Sequence, residues 1–164
     1  MTDWMQNYKR IPFQPMEPVI EQIDIEDIAH ALSMICRFGG HTREFYSVAE
    51  HSVHVSMHCN PEHALAGLLH DAAEAYVGDL IRPIKRQLGM EAYCASEDRI
   101  LELILKSEGL ATNLPVDVHE ADNAVLAAER DHDYIVGGAI TPWAALPPPA
   151  PVAFVIFPPV MAKR

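Results

Sequence analysis

Positive charge is scarce in this 164-residue chain: 12 Lys and Arg stand against 23 Asp and Glu, a formal net charge of −11 at pH 7. A broad nucleic-acid face needs clustered cations to neutralise phosphates, so no nucleic-acid partner is expected. A small anionic ligand is not excluded, because a local positive pocket or a metal ion suffices. Cysteine is equally sparse. Cys36, Cys59 and Cys94 lie far apart with no CxxC pair, which argues against a disulfide framework and predicts core positions for the three thiols. No run of about 18 apolar residues occurs, so no membrane span is predicted. The opening MTDWMQNYKR lacks the charged-then-apolar layout of a secretory leader. Together these features predict a reduced, cytoplasmic protein. At 49% apolar and 21% charged residues, the composition is that of a soluble globular domain and not of a disordered tail, a collagen or a coiled-coil rod. The length fits one domain, 1–164, with a real core.

What is abundant is histidine. Six of the nine, His41, His51, His54, His58, His63 and His70, fall between positions 41 and 70. The periodicity around them is helical, and the predicted class is an all-α bundle of five or six helices. Residues 1–23, with Pro12, Pro15 and Pro18, read as an extended lead-in. The helical core is predicted over 24–131. Asp24 caps a first helix in which Ile25, Ile28, Ala29, Leu32 and Ile35 follow helical spacing, stopped by Gly39-Gly40. Ser47-Val-Ala-Glu50 is a capping box that opens a helix to about Cys59. Asn60-Pro61 opens the next, predicted to run to Tyr76 with Leu65, Leu68, Leu69, Ala72 and Ala73 on its apolar side. Gly78-Asp79 is a turn, and a short helix is predicted over Leu80 to Leu88. Two more follow, over 91–108 and from Leu114 to about Asp131, the latter with Val118, Val125 and Leu126 inward. The tail, 132–164, holds seven of the 13 prolines from Thr141 onward and is predicted to be irregular, Pro-rich coil. Its Phe154–Phe157 segment is apolar enough to dock on the body or on a neighbouring subunit.

The chemistry centres on Leu68-Leu69-His70-Asp71-Ala72-Ala73-Glu74. One helix there offers an imidazole and two carboxylates beside an apolar run. Clustered acids near a core are costly, and a divalent cation removes the cost. The preceding helix offers His51, His54 and His58 on one face, and a later one offers His119 and Asp122. A site built from His51, His70, Asp71 and Asp122 would present two imidazoles and two carboxylates. That mixture suits one divalent transition metal, Mn, Fe, Co or Zn, more than Ca.

These residues resemble the HD-domain phosphohydrolases, whose ligands are a His, a His-Asp pair and a distant Asp. Arg37-Phe38, Ser47-Val-Ala-Glu-His51-Ser52, Leu69-His-Asp-Ala-Ala-Glu74, Gly78-Asp79-Leu80 and Pro83-Ile-Lys85 are together similar to one subgroup. That subgroup comprises the YfbR-like bacterial deoxyribonucleoside 5′-monophosphatases and their short phage relatives, some of which hydrolyse deoxynucleoside triphosphates. The likeness covers residues 23–130 and is strongest between 37 and 85. It implies a metal-dependent 5′-deoxynucleotidase, with water activated at the ion attacking phosphorus. It implies His51, His70, Asp71 and Asp122 as metal ligands and Glu74 as the catalytic acid–base group. It implies Arg37 and Lys85 as phosphate contacts, with Phe38 and Asp79 beside the base or sugar. Phe38 departs from the Trp that relatives often carry. The likeness also implies a small-molecule deoxynucleotide substrate and a homo-oligomer. The ppGpp hydrolases, a neighbouring group, have an acidic pair where this chain has Glu74-Ala75.

Three alternatives remain open at this stage. They are a deoxynucleoside triphosphate triphosphohydrolase on the same site, a non-catalytic nucleotide-binding sensor, and a structural helical protein binding adventitious zinc. His54 and His58 are expected to pack or face solvent. His41 is open between loop and substrate contact. Arg82 is read with a solvated face, and Lys85 stands between that face and a phosphate. Arg43 and Arg130 are read as surface charges.

Overall fold

A computed structural model describes residues 3–138, 140, 141, 143 and 145–162. Positions 1, 2, 139, 142, 144, 163 and 164 of the predicted lead-in and tail lie outside the described residues. The architecture is an all-α bundle, as the periodicity predicts. The lead-in is more ordered than predicted. Strands β1 (Met5–Gln6) and β2 (Pro12–Phe13) pair antiparallel, Met5 opposite Phe13. Phe13 stacks on Tyr76 with ring centroids 3.8 Å apart. The buried Asp27 accepts from the Lys9 amide at 2.7 Å and from the Asn7 side-chain amide.

Helix α1 (Ile25–Met34) starts where predicted, its first amides at Glu26 and Asp27 bonded to the Asp24 carboxylate. It ends five residues before Gly39, because Ile35 and Cys36 turn extended to meet the chain ahead of the second helix. Val48 N donates to Ile35 O at 3.0 Å, and Arg37 N donates to Tyr46 O at 2.9 Å. A 3-10 turn, Arg37–Gly40, follows.

Helix α2 (Val48–His58) is capped by Ser47 Oγ, which accepts from the Glu50 amide at 3.1 Å. The other half of the capping box is not made. The fully buried Glu50 carboxylate instead accepts from the Ile156 and Phe157 amides, each at 2.9 Å. The tail is thereby strapped across α2. Phe154 meets Tyr46 and His54 edge-on, so this apolar segment docks on the body of its own chain. A helical turn at Pro159–Ala162 departs from the predicted coil.

The helix predicted over Pro61–Tyr76 is interrupted. A 3-10 turn (Pro61–His63) leads into α3 (Ala64–Leu69), and α4 (Glu74–Val77) follows a tight segment at 70–73. There Ala72 N reaches Leu69 O and Glu74 N reaches Asp71 O, both at 3.0 Å. These three-residue bonds wind the chain more tightly than an α-helix. Helix α5 (Arg82–Lys85) is shorter than the predicted Leu80–Leu88. Helices α6 (Glu91–Ser107) and α7 (Val116–Asp131) lie close to prediction. Among the described residues no helix is long and apolar enough to cross a membrane. The three cysteines are half-buried and unpaired, not core residues.

Two apolar clusters organise the bundle, one around Phe13, Ile28, Val48, Leu69, Ile100 and Ile104, the other around Val55, Ala66, Val118 and Val125. Helix α2 serves both, through Val48 and Val55. His51 shares their face at spacings of three and four, and is therefore fully buried.

The predicted apolar stripe on α3 needs correction. Leu65 and Leu68 are 43% and 37% exposed, while Ala66 and Gly67 are buried. Small residues face α2 because the two backbones come very close. A Cβ on Gly67 would sit 2.6 Å from Cys59 Sγ and 3.2 Å from Ser56 Cα. Gly67→Ala is expected to force the two helices apart and lower the unfolding free energy by about 1–3 kcal/mol. Urea unfolding checks this, and an unchanged midpoint would show that the approach is not tight.

Candidate metal centre

Four segments bring five side chains to one point. His51 comes from α2, His70 and Asp71 from the tight segment after α3, Asp122 from α7 and Arg37 from the turn after α1. His51 Nε2 stands 3.3 Å from His70 Nε2, 3.2 Å from Asp122 Oδ1 and 3.6 Å from Asp71 Oδ2. His70 Nε2 is 3.2 Å from Asp71 Oδ2 and 3.9 Å from Asp122 Oδ1. His51, His70 and Asp71 offer ligand atoms that all lie within 4.8 Å of one another. His70 and Asp71 are adjacent in the chain, and their side chains still meet, Nε2 to Oδ2, at 3.2 Å.

The outer nitrogens decide what the inner ones present. His70 Nδ1 lies 2.8 Å from the Gly67 carbonyl, which can only accept, so Nδ1 is the donor. His51 Nδ1 lies 2.6 Å from Glu129 Oε1, a carboxylate, and donates likewise. In neutral imidazoles this leaves both Nε2 lone pairs facing each other, with two carboxylate oxygens beside them. Four electron-rich atoms around one point require a cation, either a proton or a metal ion. The protein alone supplies the proton: His51 is pushed up to about 9. Its burial and the Arg37 charge oppose this, but the Glu129 and Asp122 carboxylates outweigh them. Burial likewise opposes the ionisation of Asp71, yet the charges of His70, His51 and Arg37 hold it well below the usual carboxylate range. His51, His70 and Asp71, with the Asp122 carboxylate beside them, could hold a metal ion.

Glu129 is the residue that sequence reasoning missed. It is fully buried, holds His51, and accepts from Arg37 Nη2 at 3.1 Å. Burial alone would raise its pKa, but Arg37 and His51 bring it below the ordinary value. Arg37 also lies 3.5 Å from Asp71 Oδ2, and its buried Nε has no partner among the described residues. Phe38 follows with φ +56, a left-handed conformation that is costly for a side chain of this size. Its ring lies 5.3 Å from the guanidinium carbon and 6.2 Å from the Trp143 ring.

On the other flank, a cleft of about 150 Å³ is lined by His70, Asp71, Glu74, Lys85 and Glu97. Lys85 Nζ is 2.6 Å from Glu97 Oε1 and 3.4 Å from Glu74 Oε1. Glu74 Oε2 is buried with no partner among the described residues. Burial, then the charges of Asp71 and Asp79, push Glu74 up to about 9. Asp79 is half-buried and feels the charges of Arg37, Asp71 and Lys85. Burial raises its pKa, as it does that of Glu97. A larger cavity of about 260 Å³ lies under the N-terminal hairpin, lined by Asn7, Tyr8, His30 and Tyr76 and by none of these site residues.

The remaining histidines stand apart from this centre. His54 packs between Tyr46 and Phe154, and His58 Nδ1 bonds to the His54 carbonyl at 2.8 Å. His63 is held by Asp117 at 2.7 Å, and His41 and His119 are exposed. Arg43 is exposed, and Arg130 pairs with Asp131 at 2.6 Å.

No protein-family model matches the chain. Curated bacterial proteins do. The chain is 44% identical to the uncharacterized protein YfdR of Escherichia coli K12 over 110 residues, 67% of this chain and 61% of that protein. It is 36% identical to the uncharacterized protein RCAP_rcc00048 of Rhodobacter capsulatus over 133 residues, 74% of this chain and 67% of that protein. The chain thus spans about three-fifths of the first relative's length and two-thirds of the second's.

Proposed function

We propose, for a chain that belongs to the same family as the Rhodobacter capsulatus protein, a metal-dependent phosphohydrolase of the HD-domain type that releases phosphate from 2′-deoxynucleoside 5′-monophosphates. One observation carries the proposal. Two imidazoles with acceptor Nε2 atoms and two carboxylates meet at one point, flanked by a buried glutamate with a bare oxygen.

A divalent ion held by His51, His70, Asp71 and Asp122 would supply a Lewis acid able to acidify water and polarise a phosphoryl oxygen. The chain's own groups supply the rest. Glu129 and the Gly67 carbonyl fix both rings, so the donor atoms need no reorganisation. Arg37 is locked beside Asp71 with a free Nε–H, which suits it to hold a phosphate oxygen. Glu74 is placed in the cleft to hold or pass a proton, through the unpartnered Oε2. Lys85 balances Glu74 and Glu97, and Asp79 is available to accept from a sugar hydroxyl. The ion would be Co, Mn, Zn or Fe.

The test is product analysis of dNMPs, dNTPs, the matching ribonucleotides and ppGpp, with Mn, Co, Mg and Zn in turn. The expected result is nucleoside plus phosphate from dNMPs, none from chelator-stripped protein, and none from Glu74→Gln. Tripolyphosphate from dNTPs would replace the proposal with the triphosphohydrolase. A metal-loaded protein with no turnover of any substrate would favour the nucleotide-binding sensor. Full turnover by the stripped protein would sink the metal mechanism.

A further inference from the structure

We propose that Arg82 is a second cation that meets the incoming phosphate, beside the Arg37 Nε–H, a positioning role that rests on the phosphohydrolase reading above. The other cations at the site are already engaged with its acids. Arg37 is buried against Glu129 at 3.1 Å and Asp71 at 3.5 Å. Lys85 is held by Glu97 at 2.6 Å and by Glu74 at 3.4 Å. Neither can turn its full charge to a ligand without exposing a buried carboxylate.

Arg82 differs in both respects. Its side chain is 51% exposed, and its ion pair is loose, Nη2 at 3.8 Å from Asp122 Oδ2. A charge-assisted hydrogen bond would close to about 2.7–2.9 Å. Asp122 meanwhile turns Oδ1 inward, 3.2 Å from His51 Nε2. One carboxylate therefore carries the ligand cluster on its inner oxygen and Arg82 on its outer one. The guanidinium stands at the solvent edge of the centre, within side-chain swing of anything that binds there.

The electrostatics require such a group. A phosphate dianion would enter a site containing Asp71, Glu74, Asp79 and Asp122, in a chain of net charge −11. A mobile guanidinium offers a planar fork of N–H groups that matches two phosphate oxygens. Because Arg82 would act on the phosphate and not on the ion, its loss should weaken substrate binding and spare metal binding.

The experiment compares wild type, Arg82→Ala and Arg82→Lys as Mn²⁺-loaded proteins. Inorganic phosphate binding is measured by calorimetry, Mn²⁺ affinity by titration, and kcat and KM on a dNMP. For Arg82→Ala, phosphate affinity should fall and KM rise by ~10- to 100-fold. Manganese affinity should stay within about 2-fold, and Arg82→Lys should lie between. Wild-type phosphate affinity in Arg82→Ala would overturn the assignment. So would a parallel loss of manganese, because Arg82 would then serve only to hold Asp122. If the loaded wild type turns over dNMPs while Arg82→Ala matches it, Arg82 alone is refuted. If the loaded wild type neither binds phosphate nor turns over any nucleotide, the phosphohydrolase reading falls and takes Arg82 with it.

Discussion

Glu129→Ala should be the most damaging single substitution in α7, costing about 3–5 kcal/mol of unfolding free energy. Glu129 is fully buried between two cationic partners, Arg37 Nη2 at 3.1 Å and His51 Nδ1 at 2.6 Å. Without it Arg37 keeps Asp71 at 3.5 Å but is otherwise a buried charge with no compensation. The His51 ring loses the acceptor that fixes its tautomer, so metal affinity should fall ~10- to 100-fold in the same variant. Glu129→Gln keeps the shape and an acceptor oxygen for His51 but removes the charge, and should therefore retain more metal affinity than stability. The pH dependence supplies a signature. The folded pKa of Glu129 is lowered despite its burial, because Arg37 and then His51 favour the carboxylate. An acid depressed in the fold contributes stability that is complete above its ordinary value of 4.5 and drains away as pH falls towards its native value. In chelator, wild type should therefore lose stability below pH 4.5 more steeply than Glu129→Gln. Urea unfolding across pH reads this directly. Equal midpoints for wild type and Glu129→Ala would mean that the buried pair contributes nothing.

The same residue shows why the site was only partly legible in the sequence. His51, His70 and Asp71 could be read because they sit in short local patterns, a capped helix and a His-Asp step. Asp122 could be read from the family likeness, and the structure brings it to the same two imidazoles. Glu129 lies seven residues beyond Asp122, two turns along one face of α7, and that spacing was the available signal. Spacing gives the face of a helix and not what stands opposite. The partners here are 78 and 92 residues away in sequence. Glu50 fails for a related reason. The capping-box pattern is local, but the carboxylate found a stronger arrangement with two tail amides more than 100 residues on. The break at 70–73 was invisible because His70 and Ala73 keep right-handed helical dihedrals. Only the hydrogen bonds shift, from four residues to three. The hairpin was missed because two-residue strands are too short to show alternation.

Glu74→Gln should lower kcat by ~10²- to 10⁴-fold, the usual loss on removing a positioned proton-transfer group. The substitution is nearly isosteric, and Glu74 supplies no atom to the cluster of His51, His70 and Asp71. Bound metal and KM should therefore change little, which separates a lost proton carrier from a collapsed site. Stability should move the other way. Burial and the charges of Asp71 and Asp79 push Glu74 up to about 9 from an ordinary 4.5. Between those two values the folded metal-free protein binds a proton that the unfolded chain has released. Stability then falls as pH rises across the window. Glutamine carries no such titration, so metal-free Glu74→Gln should be more stable than wild type at pH 8, with the difference shrinking towards pH 4.5. Activity near wild type would remove Glu74 from the chemistry. A variant without turnover that is also less stable than wild type at pH 8 would make Glu74 a structural partner of Lys85, whose ion pair at 3.4 Å is then worth more than the desolvation it relieves. The combination expected here, slower and more stable, is the mark of an acid held at a functional site against its own preference.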